Sequence, residues 1–318
     1  MMLRPAILDC DTGIDDALAI MLAVRSKELR LLGVTTTSGN VSLDLVCRNT
    51  AYVLELVGAG GRVPVIPGAS KPLMRAAHHE THVHGDDGLG GAYDGDGSEA
   101  AGIDAGVARA ADFIVEQVLA APGEVTLIFT GPLTNLAHAL MKCPDLPRHV
   151  RELVFMGGAV RTGGNVTPSA EYNMYADPEA AKLVFHSGMR MTMVGLDVTN
   201  PTLLTPEHIG RLRGNPAGEF VYRCTKAYLE RAEELNSGYG DGFSMHDPLT
   251  VGIAIDRTLA RTGSYYVDIE TRSELNDGRT VCDFLGKWGK EPNMDVCLEV
   301  DSDRFLEHFV RTIGELSS

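Results

Sequence analysis

Four carboxylates fall within eight residues near the start of the chain, in Asp9-Cys10-Asp11-Thr12-Gly13-Ile14-Asp15-Asp16. A single aspartate at a helix start is ordinary, because free N–H groups and the helix dipole favour an anion there. Four beside apolar sequence repel one another, and their burial raises their pKa values or demands a cation. A hard, oxygen-seeking ion, Ca²⁺ or Mg²⁺, meets that demand most simply. Far along the chain stands His246-Asp247-Pro248. Alone, Asp247 reads as a helix N-cap followed by proline, and His246 reads equally as a surface residue or as an acid–base group poised near neutral pH.

Better-known motifs fit less well. An EF-hand counted from Asp9 needs Asp or Asn fifth, Gly sixth and Glu twelfth, where this chain has Gly13, Ile14 and Ile20. Asp9-Cys10-Asp11-Thr12 matches the DxDx(T/V) start of haloacid-dehalogenase-like phosphatases, except that Gly13 fills the Thr/Val position and Asp15-Asp16 is extra. A Mg²⁺-dependent phosphatase is therefore the alternative enzyme, though no later Lys and Asp pair is evident. In His78-His79-Glu80-Thr81-His82-Val83-His84, a zinc-binding HExxH would need histidine where Val83 stands. Gly157 to Gly164 lacks the lysine of a phosphate loop, because Gly164 occupies its place; room for backbone beside a ligand, or simple loop flexibility, is the expectation. No nucleophilic Ser or Cys triad is visible.

The elements that must hold these residues alternate. Apolar runs at Pro5–Asp9, Leu29–Thr35, Val63–Ile66, Val125–Phe129, Leu153–Met156 and Met191–Leu196 read as strands. Pro64 and Pro67 put the third at a sheet edge. Helices are expected over Ala17–Val24, Leu43–Val57, Asp104–Ala121, Leu133–Met141 and Pro178–His186. Alternation of this kind predicts an α/β fold, an open, mostly parallel central sheet flanked by helices with a Rossmann-like core. Helices over Pro206–Leu235, strands over Tyr265–Val300 and a helix near Arg304–Ile313 complete it. Ser70–Gly102, Gly157–Asn173 and Asn236–His246 read as long polar loops, more often functional than idle. In such sheets ligands sit beyond the carboxyl ends of the strands, where several polar clusters follow directly.

With 318 residues, 44% hydrophobic and 22% charged, the chain is expected to be one soluble domain, residues 1–318. The net charge of −15 argues against nucleic acid or anionic membrane as partners. The six cysteines show no CxxC or zinc-type spacing, which fits reduced thiols in the cytoplasm. With only Met1 to Arg4 before the first strand, no signal peptide is expected.

DxDxGxDD after a first strand, with Gly39-Asn40 after the second, resembles the inosine-uridine preferring nucleoside hydrolase family. The resemblance continues in order through His84-Gly85-Asp86-Asp87-Gly88-Leu89-Gly90, Thr130-Gly131-Pro132-Leu133-Thr134-Asn135 and Met156-Gly157-Gly158. It proceeds to Asn165, Glu171-Tyr172-Asn173 and Asp177-Pro178-Glu179-Ala180, and ends at His246-Asp247-Pro248. It implies hydrolysis of the N-glycosidic bond of ribonucleosides, in nucleoside salvage or catabolism. It implies Ca²⁺ ligation by Asp11, Asp16, the Thr130 carbonyl and Asp247, with Asp11 also the general base on a calcium-bound water. Asp15, Asn40, Asn165, Glu171 and Asn173 would grip the ribose, with Met156 beside the sugar and Asp247 reaching substrate as well as metal. His246 matches a leaving-group acid of some members, and relatives are commonly homodimers or homotetramers. His84 is placed to reach base or ribose, the other histidines of its cluster being loop surface. Tyr228 could stack on the base or sit in the core at its helical spacing, and Tyr239 is comparable. A nucleoside- or ribose-binding protein without catalysis is the non-enzymatic alternative.

Those residue types suit the chemistry. Departure of the base leaves an oxocarbenium-like centre, which surrounding carboxylates stabilise, and a poor leaving group needs a donor on its far side.

Overall fold

The computed structural model describes residues 3–105, 108–234 and 242–315. In chain order the strands are β1 (Arg4–Cys10), β2 (Leu29–Thr36), β3 (Val65–Pro67), β4 (Thr126–Phe129), β5 (Glu152–Met156), β6 (Met191–Val194), β7 (Leu203–Leu204), β8 (Phe243–Ser244), β9 (Ala260–Tyr265), β10 (Val267–Ile269), β11 (Thr280–Cys282) and β12 (Met294–Val300). The helices are α1 (Ile14–Arg25), α2 (Leu43–Leu56), α3 (Thr81–His84), α4 (Ala110–Ala120), α5 (Thr134–Lys142), α6 (Tyr172–Ala176), α7 (Pro178–Phe185), α8 (Leu196–Thr199), α9 (Pro206–Leu212), α10 (Pro216–Glu234), α11 (His246–Ile255) and α12 (Ser302–Gly314).

Eight strands form one open sheet in the order β3-β2-β1-β4-β5-β6-β12-β9. All neighbours run parallel except β9, which is antiparallel to β12. The pleat divides the side chains between two cores. Ala6, Leu8 and Cys10 of β1 join α1, α11 and α12 on one face, while Ile7 joins α4, α5 and α7 on the other. Burial on both faces explains why these strands read as continuous apolar runs. Helix α1 is buried without interruption from Ile14 to Ala23, because α2, α10, α11 and α12 pack around it as well.

Edges behave differently. Proline-bounded β3 is one edge, as its sequence predicts, and β9 is the other. No alternation marks β9, because much of Ala-Arg-Thr-Gly-Ser-Tyr faces solvent. Two expectations need correction. The helix expected from Asp104 begins at Ala110, with Arg109 as its N-terminal flank. At the other motif, α11 already starts at His246 with Met245 as its cap residue, so Asp247 lies inside the first turn and is not the N-cap.

Candidate active site

Strand order reverses between β1 and β4, and a parallel sheet opens a crevice at its carboxyl edge at such a switch point. Asp11 leaves the end of β1 there and Thr130 the end of β4. A cavity of about 440 Å³ opens at this edge.

Beneath it, the acidic segment turns from β1 into α1 under tight steric control. A Cβ on Gly13 would lie 2.5 Å from His84 Nδ1, and one on Gly39 would lie 2.0 Å from Asp11 Oδ2. Asp11 Oδ2 accepts the Asn40 backbone N–H at 2.7 Å. Asp16 Oδ2 accepts the Gly13 N–H at 2.9 Å and the Asn40 side-chain amide at 3.1 Å, while Asp16 Oδ1 accepts the Thr130 hydroxyl at 2.7 Å. Asp9 faces away from the cavity. Thr35 and Asn135 donate to its Oδ2, its backbone carbonyl accepts from Thr130, and burial pushes its pKa up to about 7. Asp9, which would be the attacking group of a phosphatase, does not line the cavity, and its second oxygen, Oδ1, is buried without a partner.

The remaining carboxylates form a strained electrostatic group. Burial first, then the neighbouring Asp16 charge, holds the Asp11 carboxyl well above the usual carboxylate range and pushes Asp15 up to about 7. Asp247 is raised well above its ordinary value by burial and by Asp15, Asp16 and Asp11, and burial raises Asp16 as well. Asp11 Oδ1 and Asp15 Oδ1 are buried without a hydrogen-bond partner. Single carboxylate oxygens of Asp15, Asp16 and Asp247 lie within 4.8 Å of one another. An all-oxygen donor set with orphaned lone pairs fits a hard divalent cation. The Thr130 carbonyl accepts the Asn173 amide at 2.7 Å and keeps a second lone pair.

Of the described residues expected to hold metal or substrate, all but Asp11 and Asp16 line the cavity itself. Glu171 caps α6, its carboxylate accepting the N–H groups of Gly158, Asn173 and Met174. Asn165 accepts the Tyr172 N–H at 2.9 Å. The Asn173 amide also lies 3.3 Å from the Met156 sulfur. These side chains thus spend part of their hydrogen-bonding capacity fixing each other, which preorganises this side of the cavity. Tyr228 lines the cavity and packs against the core, edge-on to Phe243 at 4.9 Å. Tyr239 lies outside the described residues.

His84 Nδ1 accepts the Ile14 N–H at 3.0 Å, and burial pulls its pKa down to about 3. His246 Nδ1 is 2.7 Å from the Thr199 hydroxyl, and burial pulls that ring down to about 4. His78 and His79 behave as the loop residues expected, tied to Glu80 and to the Gly39 carbonyl respectively. His82 is at the surface, as expected, and also lines the cavity beside Glu80. Sequence reasoning also missed Asn200, Phe243 and Thr199. Position was the available signal for Thr199 and Asn200, which closely follow β6 at the carboxyl edge.

A model of the family described as inosine-uridine preferring nucleoside hydrolase matches residues 6–307. The pyrimidine-specific ribonucleoside hydrolase RihB of Escherichia coli is 41% identical over 304 residues, 95% of this chain and 94% of that protein. The structure of a purine-preferring ribonucleoside hydrolase from Gardnerella vaginalis superposes with a TM-score of 0.90 at 35% identity, covering 98% of each chain. A plant nucleoside hydrolase gives 0.89 at 31% identity, covering 99% of this chain and 100% of that one.

Proposed function

The chain belongs to the inosine-uridine preferring nucleoside hydrolase family, and from that premise we propose a Ca²⁺-dependent ribonucleoside hydrolase in which Asp11 activates the attacking water. Cleavage of the bond between base and ribose is the activity its relatives carry in their names. The observation that supports the calcium reading is the buried acidic group, whose unpartnered Asp11 and Asp15 oxygens need a cation. Asp11, Asp16, the Thr130 carbonyl and Asp247 are the proposed ligands, and Asp15 is close enough to join them. Bound there, calcium would orient water and sugar hydroxyls together and lower the water's pKa.

The chain's own groups do the rest. Asp11, held by the Asn40 N–H, takes the proton of the attacking water. Asp15, Asn40, Asn165, Glu171 and Asn173 hold the ribose, and the carboxylates among them stabilise the positive charge that develops as the base departs. Fixing water and sugar in one geometry lowers the entropic cost of attack. His246 faces the departing base as its donor. Attack opposite the base inverts the anomeric carbon.

We extend to this chain the pyrimidine preference named for the Escherichia coli protein, which is nearer in sequence than the purine-preferring structure. A role in nucleoside salvage or catabolism in the cytoplasm, as a homodimer or homotetramer, completes the proposal. No helix of the described residues is long and apolar enough to cross a membrane. Asp11→Ala should abolish base release from ribonucleosides, and normal turnover by that variant in folded form would overturn the assignment.

A further inference from the structure

Thr199 ends the one-turn helix α8 and is fully buried, its hydroxyl oxygen 2.7 Å from Nδ1 of His246. A hydroxyl carries one hydrogen and two lone pairs, and a neutral imidazole carries its hydrogen on one nitrogen only. If Nδ1 were protonated it would donate to Thr199, and the threonine hydrogen would then find no acceptor among the described residues. Buried donors left unmatched are costly and rare. With Nδ1 bare, the threonine donates to it and both groups are satisfied. The ring hydrogen then sits on Nε2, the nitrogen left to the cavity that His246 lines. His84 is fixed in the same sense, because the Ile14 N–H bonded to its Nδ1 can only donate.

We propose that Thr199 is a positioning residue that fixes His246 as a neutral Nε2–H donor toward the departing base. The inference rests on the reading in which His246 faces that base. As the glycosidic bond breaks, its electron pair moves onto the base, and the Nε2–H hydrogen-bonds the charge gathering on a ring nitrogen or carbonyl oxygen. No proton leaves His246. Water gives its hydroxyl to the anomeric carbon and its proton to Asp11, and the released base takes a proton from solvent. A neutral imidazole serves as an electrophile in this way where its ionised form is suppressed. Such a donor suits bases that carry a carbonyl beside the glycosidic nitrogen, as uracil does, over bases that must be ring-protonated to leave.

The test uses the full chain with calcium, comparing Thr199→Val, Thr199→Ser and His246→Ala on uridine and on p-nitrophenyl riboside, whose leaving group needs no donor. Thr199→Val should lower kcat on uridine by about ten-fold or more with little change in KM, the order expected for one lost hydrogen bond to a developing charge. It should leave p-nitrophenyl riboside turnover nearly unchanged, and Thr199→Ser should restore uridine turnover. The ¹⁵N resonances of His246, assigned by their loss in His246→Ala, should show a pyrrole-like Nε2 and a pyridine-like Nδ1 in the unsubstituted protein. Equal losses on both substrates, or a protonated Nδ1 in the unsubstituted protein, would overturn the proposal. So would wild-type uridine turnover by Thr199→Val while His246→Ala is impaired, which leaves the role of His246 standing. Full uridine turnover by His246→Ala would remove that role, and this inference with it.

Discussion

Asp11 and Asn40 are joined by a 2.7 Å hydrogen bond from the Asn40 backbone N–H to Asp11 Oδ2, at a point where Gly39 has no room for a side chain. The glycine lets the β2 loop lie directly over the carboxylate, so that one oxygen is tied down and the other, Oδ1, is left without a partner. Gly39→Ala would put a methyl group 2.0 Å from Oδ2, and Asp11 must turn to relieve it. Base release should fall by about 100-fold, in keeping with the sensitivity of catalysis to ångström displacements, while the circular dichroism spectrum is retained. Near-normal turnover by Gly39→Ala would show that Asp11 has no fixed role.

Calcium should stabilise the folded chain apart from any effect on turnover. Its charge would relieve the repulsion that raises Asp11, Asp15, Asp16 and Asp247. A ligand at 100 times its Kd adds about 2.7 kcal/mol. Thermal unfolding of chelated protein, titrated with Ca²⁺, should show a rising midpoint, with Mg²⁺ less effective because it demands octahedral geometry. A midpoint insensitive to Ca²⁺ would speak against ligation by this group.

His84 gives the protein an acid-sensitive contact. Burial, followed by the charges of His246 and His82, pulls its ring from 6.5 to about 3, and its Nδ1 must stay bare to accept the Ile14 N–H. The folded state therefore binds this proton less readily than the unfolded chain, so stability is fully present above pH 6.5 and falls as pH drops through the window toward 3. Each pH unit there is worth at most ~1.4 kcal/mol. His84→Asn keeps an acceptor in reach of Ile14 but does not titrate. Urea midpoints should fall more steeply for the wild type than for the variant between about pH 7 and about pH 4.5, and equal slopes would contradict this account of His84.

The sugar end should discriminate against deoxyribose. Asp15 lines the cavity beside Asn40 and Asp247, and the proposal gives Asp15 and calcium a shared hold on the 2′-hydroxyl. Losing a hydrogen bond to charged groups costs roughly 1.5–3 kcal/mol, so deoxyuridine should be cleaved roughly 10- to 100-fold more slowly than uridine. Comparable kcat/KM values for the two would refute the assignment of Asp15.

Most of the parallel frame was legible because burial on both faces leaves uninterrupted apolar runs such as Ala6–Leu8 and Leu153–Phe155. The acidic cluster was legible because so many carboxylates have no structural use at one strand end. β9 was not, since an edge strand with one solvated side needs no apolar pattern. Asp247 on its own looked like a cap because Pro248 suits a first turn, and only the family resemblance marked it as a ligand; one more residue of helix places its carboxylate among Asp15 and Asp16. Thr199 was invisible for a different reason. An isolated threonine announces nothing until the fold sets it against His246.

Chromatographic assay of free base from uridine, cytidine, inosine and adenosine, with and without a calcium chelator, tests activity and metal together. Base should be released from uridine ahead of the purine nucleosides, and release should be abolished by the chelator and restored by added Ca²⁺. Release that persists under full chelation would contradict the calcium mechanism, and no release from any ribonucleoside by folded, calcium-supplied protein would contradict the proposed activity itself.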